Sequence, residues 1–277
     1  MQRLKEWIGK RERMTDVATA RPVAALNATF DRREREPSAG DPGPPGWHWL
    51  YFLETAPQSD LAHDGHAKRG GFLPPVELPR RMWAGGRLDF RRPLHVGDAL
   101  TRESEILSVE PKRGKSGSLV FVTVRHTVHA AGELAVIEEH DIVYREAAKA
   151  DDAPPHAKPA PTGAKWRREL TADIVMLFRF SALIFNAHRI HYDLDYVKEE
   201  GYPALIVHGP LQTLLMLDLC RRNGADVKHL EYRAVHPVFH TEALSVNGTP
   251  SDDGSKADLW IANAAGNYAM TGKATLG

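Results

Sequence analysis

From His208–Gly209–Pro210 to Arg222, ahead of a stop at Gly224, the residues Leu211, Leu214, Leu215, Met216, Leu217, Leu219 and Cys220 cover nearly the whole circumference of a predicted helix. A helix that is apolar on every side cannot lie on a surface and has to be enclosed. A long antiparallel sheet wrapped round it would do so, as would a helical bundle. The downstream sequence favours the sheet: Leu259 to Ala264, a Gly266–Asn267 turn, and Tyr268 to Thr275 together predict a hairpin.

A Pro- and Ala-rich stretch over 147–165, free of apolar periodicity, reads as a semi-rigid linker. It divides the 277 residues into halves, 1–146 and 166–277. Residues 93–100 (PLHVGDAL) and 237–244 (PVFHTEAL) share a pattern at a constant offset of 144 (237 − 93). In the first half Val120, Val122, Val124 and Val128 alternate with Phe121, Thr123, Arg125 and Thr127, and a Gly132 turn leads into Ala135 to Tyr144. Matching hairpins behind matching octapeptides point to an internal duplication. Ahead of the second-half strands, Thr171 is the expected N-cap of a helix, with Asp173 in its first turn. Residues 1–22 read as an exposed helical lead-in, and 37–46 (PSAGDPGPPG) as a surface loop.

Composition narrows the function classes. Lys plus Arg and Asp plus Glu both number 36, so the chain lacks the basic excess expected of a nucleic-acid binder. The 42% hydrophobic content is that of a globular protein. No apolar run approaches the roughly 20 residues that cross a bilayer. Glu6, Glu12 and Asp16 are out of place in a transit peptide. The single cysteine, Cys220, rules out an internal disulfide. The expectation is a soluble, cytoplasmic protein.

The densest polar cluster of the second half is Asn186, His188, Arg189, His191, Tyr192 and Asp193, set between two apolar segments. Spacing alone leaves three readings of His191 open. It could be a hydrogen-bonded structural histidine, an acid–base group titrating near neutrality, or a metal ligand together with His188 and Asp193. The second element is ALIVHGPLQ (204–212), where Gly209 and Pro210 open the enclosed helix. Proline loses no needed hydrogen bond in a first turn, and the free N–H groups there suit an anion or a developing oxyanion. The plain alternative is a helix start with a small residue for packing.

The run FSALIFNAHRIHYDLDYVKEEGYPALIVHGPLQ, from Phe180, resembles the hydratase motif of MaoC-like dehydratases and (R)-specific enoyl-CoA hydratases. WHWLYFLE (47–54), DGHAKRGGFLPP (64–75) and LPRRMWAGGRLDF (78–90) resemble the amino-terminal domain of fused members, which include mitochondrial 3-hydroxyacyl-thioester dehydratases and mesaconyl-CoA or itaconyl-CoA hydratases. The resemblance implies an α+β double hot-dog, two long antiparallel sheets each wrapped round a central helix. The first half (1–146) would be a non-catalytic wall of the substrate tunnel and the second (166–277) the catalytic domain. Catalysis is expected from His191, Asn186 and Gly209, without a metal or other cofactor. Arg189, His188, Asp193, Arg80, Arg81 and Trp83 are expected to bind or orient the substrate, a CoA or acyl-carrier-protein thioester. A further homodimer of such chains fits the arrangement. Most (R)-specific hydratases carry a catalytic Asp where this sequence has Asn186, whereas the fused subgroup tends to carry Asn there.

The competing readings are a non-catalytic module that only holds an acyl thioester, a metal-dependent hydrolase using His188, His191 and Asp193, and a thioesterase.

Overall fold

A computed structural model of the chain describes residues 2–114, 117–147 and 157–277. Residues 148–156 of the predicted 147–165 linker lie outside this set. After the short α1 (Gln2–Lys5) the elements are β1 (Arg11–Val17), α2 (Ala20–Thr29), β2 (Arg80–Phe90), β3 (Ala99–Gly114), β4 (Gly117–Ala130) and β5 (Glu133–Arg145). The second half follows with β6 (Trp166–Thr171), α3 (Ile174–Leu183), α4 (Leu194–Glu199), α5 (Gly209–Arg222), β7 (Val227–Ala234), β8 (Ala243–Pro250), β9 (Lys256–Ala262) and β10 (Tyr268–Leu276).

All ten strands form one antiparallel sheet in the order β1-β3-β4-β5-β2-β7-β10-β9-β8-β6. Five strands from each half are joined edge to edge where β2 meets β7, Gly86 opposite Tyr232 and Leu88 opposite Leu230. The two halves match in detail. β2 ends at Phe90 and β7 at Ala234, and β3 begins at Ala99 and β8 at Ala243, each pair 144 apart. Asp98 Oδ2 accepts from the His95 N–H at 2.9 Å, and Glu242 Oε1 accepts from the Phe239 N–H at 3.1 Å, so the acid of each octapeptide closes the same turn. The chain is thus a duplicated α+β double hot-dog.

The enclosed helix is α5, in which every residue from Pro210 to Cys220 is buried. It lies against β6, β7, β8 and β9 and reaches β2. At roughly 1.5–3 kcal/mol for each fully buried Leu or Met, this helix anchors the second half. Among the described residues the first half encloses no comparable helix, so the expected central helix is found in the second half alone. The interior of the first half is filled by the turn Trp47–Leu50, while the ten-residue α2 packs beside α3.

Two local expectations change. Residues 11–17 are an edge strand on β3, not a helical lead-in. Their burial alternates residue by residue, and the Arg11–Glu105 and Arg102–Glu12 pairs bind them to β3. The α3 N-cap is Asp173, whose carboxylate accepts from the Met176 N–H at 2.9 Å, because Thr171 is already committed to β6. Residues 37–46 carry no helix or strand beyond the single Pro42–His95 bridge.

Candidate active site

The chain leaves α3 through Phe185, held at φ 50°, and turns at Asn186, whose Oδ1 accepts from the His188 N–H at 2.8 Å. A single 3-10 turn, Arg189–His191, then carries the His191 ring into the core, where it is 8% exposed. His191 Nδ1 lies 2.8 Å from the Ile206 carbonyl. A carbonyl only accepts, so Nδ1 bears the proton and Nε2 presents a bare lone pair. The clamp is two-way, since the Ile206 N–H donates to the Ile190 carbonyl at 3.2 Å. Burial pushes the His191 imidazole down to about 4, so it is a neutral base at physiological pH.

His191 lies flat on the wholly buried His208, with ring centroids 3.6 Å apart. His208 immediately precedes Gly209 and is the N-cap residue of α5. Its Nε2 is 2.8 Å from the Ser181 hydroxyl. The Gly209 N–H, in the first turn of the helix, lies beyond the reach of any intrahelical acceptor. A Cβ on Gly209 would sit 3.1 Å from Trp83 Cγ and Cδ1, so any side chain here would press on the indole where β2 meets α5. Trp83 is fixed in turn: Nε1 donates to the Tyr232 hydroxyl at 3.1 Å, and the indole lies on His140 at 3.7 Å. The site therefore lies at the β2–β7 seam, with the imidazole and helix start supplied by one half and the aromatic wall by the other.

The remaining predicted residues divide by environment. Arg189 and Asp193 pair with each other at 2.7 and 2.9 Å, and Asp193 also accepts from the Asp195 and Tyr196 N–H groups to cap α4. The Tyr196 N–H and the Arg189 guanidinium hold the Asp193 carboxyl below its usual range. Arg80, 7% exposed, donates to Glu200 Oε2 at 2.8 Å and to the Tyr202 hydroxyl, locking β2 to the end of α4. Arg81 projects from the face of β2 that also carries Trp83. It forms no ion pair among the described residues, and its charge helps to lower the pKa values of His66, His188 and His140. His188 is buried between His66, at 4.2 Å between ring centroids, and His191, at 5.4 Å. Burial holds it uncharged.

Sequence reasoning missed three neighbours: His208, Ser181 and the pair Asp64–His66. His208 lay inside the motif, next to Gly209. The signal for the pair was the short run Asp64–Gly65–His66, but nothing local shows that this loop docks on Ala187. Gly65 (φ 88°) fits there only without a side chain, since a Cβ would fall 1.9 Å from the Ala187 carbonyl oxygen. The Arg189 N–H donates to the Asp64 carbonyl at 2.9 Å and fastens the two loops together. Asp64, His66 and His188 bring one possible ligand atom each to within 4.8 Å of one another.

A family profile described as hydroxyacyl-thioester dehydratase type 2 matches residues 46–240. The mesaconyl-C(4)-CoA hydratase of Chloroflexus aurantiacus is 42% identical over 274 residues, covering 98% of this chain and 97% of that protein. The mitochondrial hydroxyacyl-thioester dehydratase type 2 of Schizosaccharomyces pombe is 28% identical over 246 residues, covering 78% and 79%. Among solved structures, a MaoC-like dehydratase from Phytophthora capsici superposes with a TM-score of 0.66 at 13% identity, covering 100% of this chain and 98% of that one.

Proposed function

The chain belongs to the hydroxyacyl-thioester dehydratase type 2 family, and on that premise we propose that it reversibly hydrates the CoA thioester of a short branched dicarboxylic acid, such as mesaconyl-CoA or itaconyl-CoA. It is a hydro-lyase of the hydratase and dehydratase class. The observation that carries the reading is the base-ready Nε2 of His191 beside the free N–H end of the enclosed helix.

A 2-enoyl thioester is electrophilic at its β-carbon because charge can move onto the thioester oxygen. The Gly209 N–H, at the positive end of α5, stabilises that oxygen. Water held between Asn186 and His191 attacks the β-carbon, and His191 Nε2 takes its proton. The α-carbon is then protonated, and dehydration is the same path reversed. His188 orients this water. Arg81, with Trp83 beside it, receives the free carboxylate of the acyl group, while the Arg189–Asp193 pair and Arg80, held by Glu200, shape the mouth. In this reading the first half (1–146) is the non-catalytic wall, 147–165 the linker and 166–277 the catalytic half. Among the described residues no helix is long and apolar enough to cross a membrane. A cytoplasmic location, an acyl-CoA rather than a carrier-protein donor, and optional homodimerisation complete the proposal.

The test is loss of enoyl absorbance with mesaconyl-CoA and crotonyl-CoA, coupled to identification of the hydroxyacyl product. Turnover on neither ester, or release of free thiol in place of hydration, overturns the proposal. The 28% identical dehydratase of S. pombe supports a second reading, dehydration of a fatty 3-hydroxyacyl thioester. A kcat/KM higher for octenoyl-CoA than for mesaconyl-CoA would select it.

A further inference from the structure

The motif has an amide, Asn186, at the position where related hydratases carry an acid, and its Oδ1 is engaged by the His188 N–H of its own loop. A carboxylate reaches the same histidine cluster from the other half of the molecule. Asp64 Oδ2 lies 3.2 Å from His66 Nδ1, and Asp64 Oδ1 accepts from the His66 N–H at 3.0 Å. Since an ionised carboxylate only accepts, His66 Nδ1 bears the proton and Nε2 is a lone-pair acceptor, bonded to no described residue. The His66 ring adjoins His188, which adjoins His191.

We propose that Asp64 and His66 form a second acid–base pair of this site, so that the carboxylate missing at Asn186 is delivered by a loop of the first half, which thereby takes part in catalysis instead of serving only as a wall. The inference rests on the hydratase reading. A water accepted by two imidazoles, His191 Nε2 through one hydrogen and His66 Nε2 through the other, has its oxygen lone pair left for the β-carbon. As the C–O bond forms, the π pair of the double bond shifts to the α-carbon and onto the thioester oxygen. Here the water proton crosses to His66 Nε2 instead of His191 Nε2, which holds the water by its other hydrogen, and the bonding pair stays on oxygen. The enolate then takes that proton at the α-carbon, and His66 returns to its neutral form.

His66 suits this task better than its neighbours. His191 leans on a neutral carbonyl and His208 on a hydroxyl, whereas an imidazolium at His66 would face a carboxylate. Burial alone would raise the Asp64 carboxyl, but the hydrogen bonds from the His66 ring and backbone N–H hold it ionised. A cation held by Asp64, His66 and His188 is the rival reading. The positive charge of Arg81, felt by both imidazoles, opposes it.

The experiment compares His66→Gln and the near-isosteric Asp64→Asn with the unaltered full chain on mesaconyl-CoA and crotonyl-CoA. For His66→Gln the expected loss in kcat is about 10²-fold or more, with KM within about threefold. For Asp64→Asn the expected loss is smaller. The acidic limb of its kcat/KM profile moves to lower pH, because an imidazolium without its carboxylate is less stable, and Asp64→Glu recovers part of the rate. Near-normal kcat in His66→Gln, an unmoved acidic limb in Asp64→Asn, or one equivalent of bound zinc lost in His66→Gln overturns the proposal. If the unaltered protein hydrates esters but the pair proves dispensable, only this inference fails. If it hydrates none, the functional reading fails with it.

Discussion

The imidazole of His208 lies on that of His191 at 3.6 Å between centroids and 21° between planes, so that a charge on His191 disfavours one on His208. The stack ties the candidate base to the first residue ahead of α5. Since Ile206 holds the far edge of the same ring, His191 has one orientation. Replacement by alanine should lower kcat by at least about 10²-fold with little change in KM. Asn186→Ala, which removes a loop hydrogen bond and a water ligand but no base, should cost less. Steady-state kinetics of both variants on one enoyl thioester checks the ranking.

Gly209→Ala should damage catalysis through Trp83. The added methyl meets an indole pinned by Tyr232 and His140, so the helix start shifts rather than the wall. A fall in kcat/KM of at least about tenfold is expected, since losing an oxyanion donor outright costs roughly 10²–10³. Trp83→Phe in the same chain should recover part of it. Equal activity of Gly209→Ala and the parent would remove Gly209 from the mechanism.

Arg81 and Arg80 are adjacent and should behave differently. Arg81→Ala should reduce kcat/KM for a dicarboxylyl ester by about 10–10²-fold, the scale of a lost charge-assisted pair, and leave crotonyl-CoA nearly untouched. Arg80→Ala leaves Glu200 facing a buried gap and should cost about 3–5 kcal/mol of stability, with no change in ester preference. Chemical denaturation and two-substrate kinetics separate these effects.

Stability should fall on acidification through two windows. Burial pushes His66, His140 and His191 down to about 4 and His126 to about 3, against an ordinary 6.5. Between about 6.5 and 4 the unfolded chain therefore binds more protons than the folded one, and the fold weakens as pH drops. Burial would raise Glu138, but the His48 hydrogen bond and nearby imidazoles hold it at about 2 against an ordinary 4.5. Its contribution is present above 4.5 and lost as pH falls toward 2. The urea midpoint should be level above pH 7 and decline steadily below 6.5. A midpoint unchanged from pH 7 to 4.5 would show that these imidazoles are charged in the folded state.

Local sequence determined the parts of this protein whose cause is local. The all-round apolar helix dictated enclosure, the glycine-turned hairpins dictated antiparallel strands, and the paired octapeptides fixed the duplication. The motif also placed Asn186, His191 and Gly209 on one short stretch of chain. Residues 11–17 misled because an alternating edge strand with many charges resembles an exposed helix until its partner β3 is known. Arg189 and Asp193, four apart in the motif, look available for substrate until their mutual pair is seen. What only the tertiary structure decided is which groups from distant segments meet: Trp83 against Gly209, the Ile206 carbonyl on His191, and Asp64 with His66 beside His188. Those contacts depend on strand register across the β2–β7 seam and on one loop docking through Gly65. Neither leaves a periodic trace in the sequence, because each follows from the packing of the whole sheet rather than from the preferences of neighbouring residues.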